Sequence, residues 1–244
     1  MQGQSERASV PVWIPVSRSG QTASSGRSRP RSCWPALLQP STRSQLRALP
    51  VRIRTGNVEV SQGTHQGQHQ GLKAEVWFGS YNDDCNRITS INVLSSSGNG
   101  FVEFGWVLGY SSCDDNLYTT PRTFTWWKQD GGSSNCRVLT AATADLYHNL
   151  SIADGDSDTT WLAKKNGSLY DTINVNFDRG DVATNGERDC TCDTAYAHFK
   201  ELEFQKVATG ATWLAWNDPY LFFDSDDNFH WVKDSDTEHE VVHD

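Results

Sequence analysis

The sequence predicts an all-β chain folded as an antiparallel β-sandwich, and three observations carry that expectation. From Gly71 onward, short alternating runs rich in Val, Ile, Phe, Trp, Tyr and Thr are separated by clusters of Gly, Asn, Asp and Ser, the pattern of strands and turns. The runs follow one another with no helical period between them, so strand-to-strand hairpins are expected rather than crossover helices. Ser97-Gly98-Asn99-Gly100, Asp130-Gly131-Gly132 and Lys165-Asn166-Gly167 supply the left-handed backbone positions that tight hairpins need. Strands are expected over 72–81, 88–94, 101–108, 123–128, 147–153, 160–164, 170–177, 195–204 and 212–216. The architecture these elements suggest is a sandwich of the jelly-roll, concanavalin-like type.

The chain is not uniform. Residues 1–70 hold nine Arg, no Lys and two Glu, a balance of +7, whereas residues 71–244 hold twelve Lys and Arg against 28 Asp and Glu, a balance of −16. Six of the eight prolines lie between Pro11 and Pro50, among Ser, Gln, Gly and Arg, with no sustained apolar period. Such a stretch buries too little surface to offset its ordering entropy, so residues 1–70 are expected to be a disordered leader, or residues added by an upstream start codon. The domain proper is then 71–244. Cys33 to Leu38 is too short, and interrupted by Pro35, to be the apolar core of an export signal.

Composition excludes some functions. Mean hydropathy is −0.59 and no apolar run approaches the roughly 18 residues that cross a bilayer, so no membrane partner is expected. An acidic domain lacks the Lys and Arg that displace counterions from phosphates, so nucleic acid is not expected either. Five cysteines fall in the domain: Cys85, Cys113, Cys136, Cys190 and Cys192. Cys190 and Cys192 have one residue between them and no second pair follows, which is not a zinc spacing. Disulfides are expected instead, Cys113 with Cys136 and Cys85 with Cys190 or Cys192, and with them an oxidising, extracellular setting.

Phe101 to Leu108 reads as the most informative strand. Alternation places Val102, Phe104, Trp106 and Leu108 on a core face, and Phe101, Glu103, Gly105 and Val107 on the other. Glu103 then sits between apolar neighbours, beside a glycine that is expected to leave room above the sheet. Apolar flanks disfavour its charged form and make it a candidate acid or base. In the strand over 123–128, Phe124 and Trp126 share one face and Thr125 and Trp127 the other; Trp127 is expected to line the same groove as Glu103.

These residues resemble a family. Val102-Glu103-Phe104-Gly105-Trp106, followed by Leu117-Tyr118, Pro121-Arg122-Thr123-Phe124-Thr125-Trp126-Trp127, Asp130-Gly131 and Cys136, is similar in order and spacing to the plant neprosin domain. Thr160-Trp161-Leu162 with the segment at Tyr170 resembles that family's Trp-Trp-Leu hairpin. Neprosins, and the fungal glutamic peptidases called eqolisins, are β-sandwich endopeptidases acting at acid pH without metal or cofactor through a carboxyl pair, or a Gln and Glu pair, on the concave sheet. The resemblance implies Glu103 as one catalytic residue. It implies a partner in a Gly-Gly-Glu motif, for which Asn185-Gly186-Glu187 is the nearest match, with Glu201 and Glu203 as competitors on a better strand. Glu103 is assigned as general base and Glu187 as acid, or the two roles exchanged, with Trp127, Thr125 and Phe101 contacting substrate.

The expected function is therefore a secreted acid endopeptidase of glutamic type, acting on a polypeptide as a monomer, with no cofactor and no metal. The alternative is a non-catalytic secreted sandwich that binds glycan or cell-wall polymer through Trp127, Trp161 and other exposed aromatics. Other patterns read as structural. Asp154 to Asp158 lacks the Gly and the twelfth-position Glu of a calcium loop and reads as a hairpin turn. Asp224 to Asp227 offer calcium ligands together with Asp234 and Asp236, but an acidic solvated loop is the commoner meaning of such a run. His148, His198 and His230 are scattered, with no Ser or Cys motif beside them.

Overall fold

The computed structural model describes residues 59–81, 86–155, 159–188, 195–206, 212–216, 221–224 and 229–243. Fourteen strands and no helix lie among the described residues: β1 (Glu59–Phe78), β2 (Arg87–Ser95), β3 (Phe101–Ser111), β4 (Asn116–Lys128), β5 (Ser134–Ala141), β6 (Leu146–Asp154), β7 (Thr160–Lys165), β8 (Ser168–Asn174), β9 (Gly180–Arg188), β10 (Ala195–Lys206), β11 (Trp213–Ala215), β12 (Leu221–Asp224), β13 (Phe229–Ser235) and β14 (Glu238–His243). All pairings are antiparallel, as the sequence predicts.

β1 organises the fold because its two halves have different neighbours. Residues 59–65 pair with β9 and β12, and from there the order runs β9-β2-β3-β4-β5. Residues from His69 to Phe78 pair instead with β10 on one side and β6 on the other, continuing to β14-β13 and to β7-β8. The register of β1 against β9 breaks between His65 and His69, where the strand passes from one layer to the other. Two layers result, one centred on β2 and β3 and one on the second half of β1.

The core fills the space between them. Ile91, Val93, Val102, Phe104 and Trp106 come from the first layer, and Leu72, Ala74, Val76, Phe78, Leu150, Ile152, Trp161 and Ile173 from the second, all fully buried. Trp106 bridges the layers: its ring lies 5.7 Å from that of Phe78 and its indole N–H donates to the Trp77 carbonyl at 3.0 Å. Each such side chain contributes about 1.5–3 kcal/mol of burial, and the indole satisfies its one donor while doing so.

Several expectations are corrected. The boundary set at residue 70 falls inside β1, where pairing with β9 over Glu59 to His65 and with β12 over Ser61 to Thr64 holds the strand extended despite its Gly, Gln and His content. β5, β9, β12, β13 and β14 are strands the sequence reading left as turns or tail. The hairpin glycines stand as predicted, with Gly98, Gly131 and Gly167 at φ of 72°, 71° and 79°. Cys113 and Cys136 form the expected disulfide, with Cα atoms 5.6 Å apart. Cys85, Cys190 and Cys192 lie outside the described residues.

Candidate active site

β9, β2 and β3 lie side by side, and their register builds one patch on the face turned away from the core. In antiparallel pairs, directly opposed residues share a face. Glu103 stands opposite Asn92, Gly105 opposite Ser90, and Val107 opposite Ile88. On the other edge of β2, Ser90 stands opposite Asn185 and Ile88 opposite Glu187. Glu103, Ser90, Asn92, Asn185 and Glu187 therefore share one face, with the two acids at its diagonal corners.

Hydrogen bonds tie the corners together. The Ser90 hydroxyl donates to Glu103 Oε1 at 2.6 Å, and Asn92 Nδ2 donates to Ser90 Oγ at 3.3 Å. Asn185 Nδ2 donates to Glu187 Oε1, and the same side-chain amide also favours the ionised form of Glu103. One amide thus serves both acids. Glu103 is only 6% exposed, whereas Glu187 is half-buried. Burial pushes the Glu103 carboxyl up to about 8, the Glu187 charge pushes it the same way, and the Ser90 and Asn185 hydrogen bonds oppose both. Burial also raises Glu187, against the Asn185 hydrogen bond. The pair titrates together and the repulsion between the two charges is mutual; Glu187, the better solvated of the two, gives up its proton the more easily.

β4 supplies the aromatic wall, though with the parity opposite to expectation. Glu103 stands opposite Trp126, so Trp126 and not Trp127 shares its face. Trp126 packs edge-on against Phe101 with centroids 6.0 Å apart, and Phe101 lies on the same face of β3 as Glu103. Trp127 and Thr125 stand opposite Val102 and Phe104. Thr125 is fully buried and donates to Asp171 Oδ2 at 2.6 Å, and Trp127 packs against the hydrophobic core with Arg137 stacked 4.8 Å over its ring. Both belong to the interior side of the layer. The room expected above Gly105 is also absent: a Cβ there would come within 2.2 Å of the Thr89 carbonyl oxygen. Its glycine permits close approach of β2 to β3, not access for a ligand.

The competing acids fall elsewhere. Glu201 is exposed at φ 49°, where the register of β10 against β1 shifts, and Glu203 is ion-paired to Lys73. Of the glutamates weighed as partner, only Glu187 shares a face with Glu103. Two features escaped the sequence reading. Asn185 counted only as a departure from the Gly-Gly-Glu motif, yet it links the acids. Among the described residues, Trp126 Nε1 and Asn185 Oδ1 are buried with no hydrogen-bond partner, one a donor and one an acceptor.

The fold and this patch define an antiparallel sandwich with a glutamate pair on the outer face of one layer. No family model matches the chain, and no curated protein matches it. Among solved structures, scytalido-glutamic peptidase in complex with a peptide-based transition-state analogue is similar over 78% of this chain and 99% of its own, at a TM-score of 0.53 and 10% identity. SCP-B, a member of the eqolisin family of peptidases in complex with the tripeptide Ala-Ile-His, is similar over the same 78% and 99%, at a TM-score of 0.51 and 9% identity. At such identities the likeness is one of fold.

Proposed function

We propose that this protein is an extracellular acid endopeptidase of glutamic type, with Glu103 and Glu187 as its catalytic pair. The observation that carries the reading is two pKa-raised carboxyls on one sheet face, linked through Asn185. Two such groups cannot both ionise cheaply, so over a range of pH one is an acid while its neighbour is a base. The difference in solvation favours Glu187 as the base that takes a proton from the attacking water. Glu103, still protonated, hydrogen-bonds the carbonyl oxygen as it becomes an oxyanion and then delivers its proton to the leaving nitrogen.

The unpaired polar atoms support an amide substrate. A peptide group offers one acceptor and one donor, which complement the Trp126 indole N–H and the Asn185 carbonyl oxygen on either side of the acids. The glycan-binding alternative loses its named aromatics, since Trp161 is fully buried and Trp127 packs against the core. The Cys113–Cys136 disulfide agrees with an oxidising compartment.

The test is casein digestion between pH 3 and 8 with fragments identified by mass spectrometry. Glu187→Gln and Glu103→Ala should each lose at least about 100-fold in rate while keeping the wild-type circular dichroism spectrum, a loss in the range expected for removing an acid–base group. Undiminished digestion by both variants refutes the proposal.

A further inference from the structure

The outer face of the second layer carries a separate group of side chains, on the opposite side of the core from Glu103. His198 of β10 is 6% exposed, although it faces outward beside three acids. Its Nε2 lies 3.0 Å from Glu238 Oε1, on β14. Ligand atoms of His198, Asp234 of β13 and Glu238 all lie within 4.8 Å of one another. Three adjacent strands thus each contribute one donor. The other edge of the imidazole is fixed: Nδ1 lies 2.6 Å from the Tyr147 hydroxyl and 3.1 Å from that of Tyr196, which in turn donates to Glu240 Oε1 at 2.8 Å.

The charge here is not balanced. Asp234, Glu238 and Glu240 face Lys200, whose Nζ is 3.6 Å from Glu238 Oε1 and lies 4.4 Å over the Tyr147 ring. Lys233, on the neighbouring strand, pairs with Asp236 instead. A divalent cation would neutralise this field more completely than one flexible lysine.

We propose that His198, Asp234 and Glu238 form a binding site for a divalent transition-metal ion, zinc in the first instance, that fastens the β13–β14 hairpin to β10. One imidazole nitrogen with two carboxylate oxygens suits zinc and its neighbours better than magnesium or calcium, which prefer oxygen alone. Nε2 is the ligand. Nδ1 then carries the proton and donates it to Tyr147, the outer-shell bond that fixes the ring of a metal-bound histidine. Donor–metal bonds of about 2.0–2.2 Å require the three oxygen and nitrogen atoms to draw somewhat closer, a movement open to the exposed Asp234. Solvent completes the coordination, and Lys200 is the cation the metal displaces.

The inference is independent of the peptidase reading and is tested without activity. The full chain, treated with EDTA and dialysed, is titrated with zinc chloride by calorimetry and its melting temperature followed with and without zinc. We expect one zinc per chain at micromolar affinity or tighter and a rise in melting temperature, as mass action requires of a ligand that binds only the folded state. Calcium and magnesium should have no such effect. Asp234→Asn, at an exposed position, should leave the metal-free melting temperature unchanged and weaken zinc by at least about tenfold, and His198→Gln should weaken it at least as much. Lys200→Met, which removes the competing cation, should tighten it. Absence of zinc binding, or binding that survives both ligand variants unchanged, overturns the proposal.

Discussion

Replacing Glu103 with Gln removes the titration but keeps the shape, and its effect on stability follows from the pKa. In the unfolded chain the carboxyl ionises near its ordinary value of 4.5, whereas in the fold burial and the Glu187 charge push it up to about 8. Between those values the folded state binds the proton that the unfolded state releases. Stability from this group is therefore complete below about pH 4.5 and is lost as pH rises towards 8. At about 1.4 kcal/mol per pH unit, the wild-type chain should lose on the order of 3 kcal/mol between pH 4.5 and 7.5 through Glu103, with the raised Glu187 adding a change of the same sign. Urea unfolding of the wild type and Glu103→Gln at pH 4.5, 6.0 and 7.5 measures this. The two curves should nearly coincide at pH 4.5 and diverge above it, with the variant the more stable by about 3 kcal/mol at pH 7.5. Parallel curves across the range would show that Glu103 titrates normally, and the proton-sharing reasoning would fail.

Asn185→Ala removes the hydrogen bond that favours ionised Glu187, so the acid limb of the pH–rate profile should move to higher pH; an unmoved limb means that Asn185 does not link the pair. Thr125→Val leaves the buried Asp171 without the Thr125 hydroxyl and should cost about 1–3 kcal/mol with KM unchanged, whereas Trp126→Phe should raise KM with stability nearly constant. The reverse pattern would return Thr125 to the substrate site. Gly105→Ala forces a Cβ to within 2.2 Å of the Thr89 oxygen and should cost more than about 3 kcal/mol by overpacking, read as a large fall in the urea midpoint. Cys113→Ser with Cys136→Ser opens a link across 23 residues and should cost about 3 kcal/mol, measured by urea unfolding without reductant.

Much of the fold was legible because its hairpins are written locally. Gly98, Gly131 and Gly167 sit where only a left-handed backbone closes the turn, and the alternation of Val102, Phe104 and Trp106 named the core face of β3 before any pairing was known. β9 was not legible. Gly180 to Arg188 is rich in Gly, Asp and Asn and has poor strand propensity, and it is held extended by β1 on one edge and β2 on the other. That pairing is what brings Asn185 and Glu187 to the face of Glu103. Propensity is a local quantity and does not report a neighbour distant in sequence. The choice of Trp127 over Trp126 failed for a related reason. Alternation within one strand sorts residues into two faces, but which face meets Glu103 depends on the register between β3 and β4. The C-terminal hairpin was hidden by its acids: Asp234 and Asp236 read as solvated loop, while the alternation that buries His239 and Val241 followed them between Glu238 and Glu240.

The central claim is that two glutamates on one sheet face share a proton, and carboxyl-carbon NMR of the full chain labelled at glutamate tests it most directly. In the wild type, Glu103 should titrate with an apparent pKa of about 8, and in Glu187→Gln that value should fall, while staying above the ordinary range because burial remains. A Glu103 that titrates near 4.5 in the wild type, or one whose titration ignores the loss of Glu187, contradicts the account.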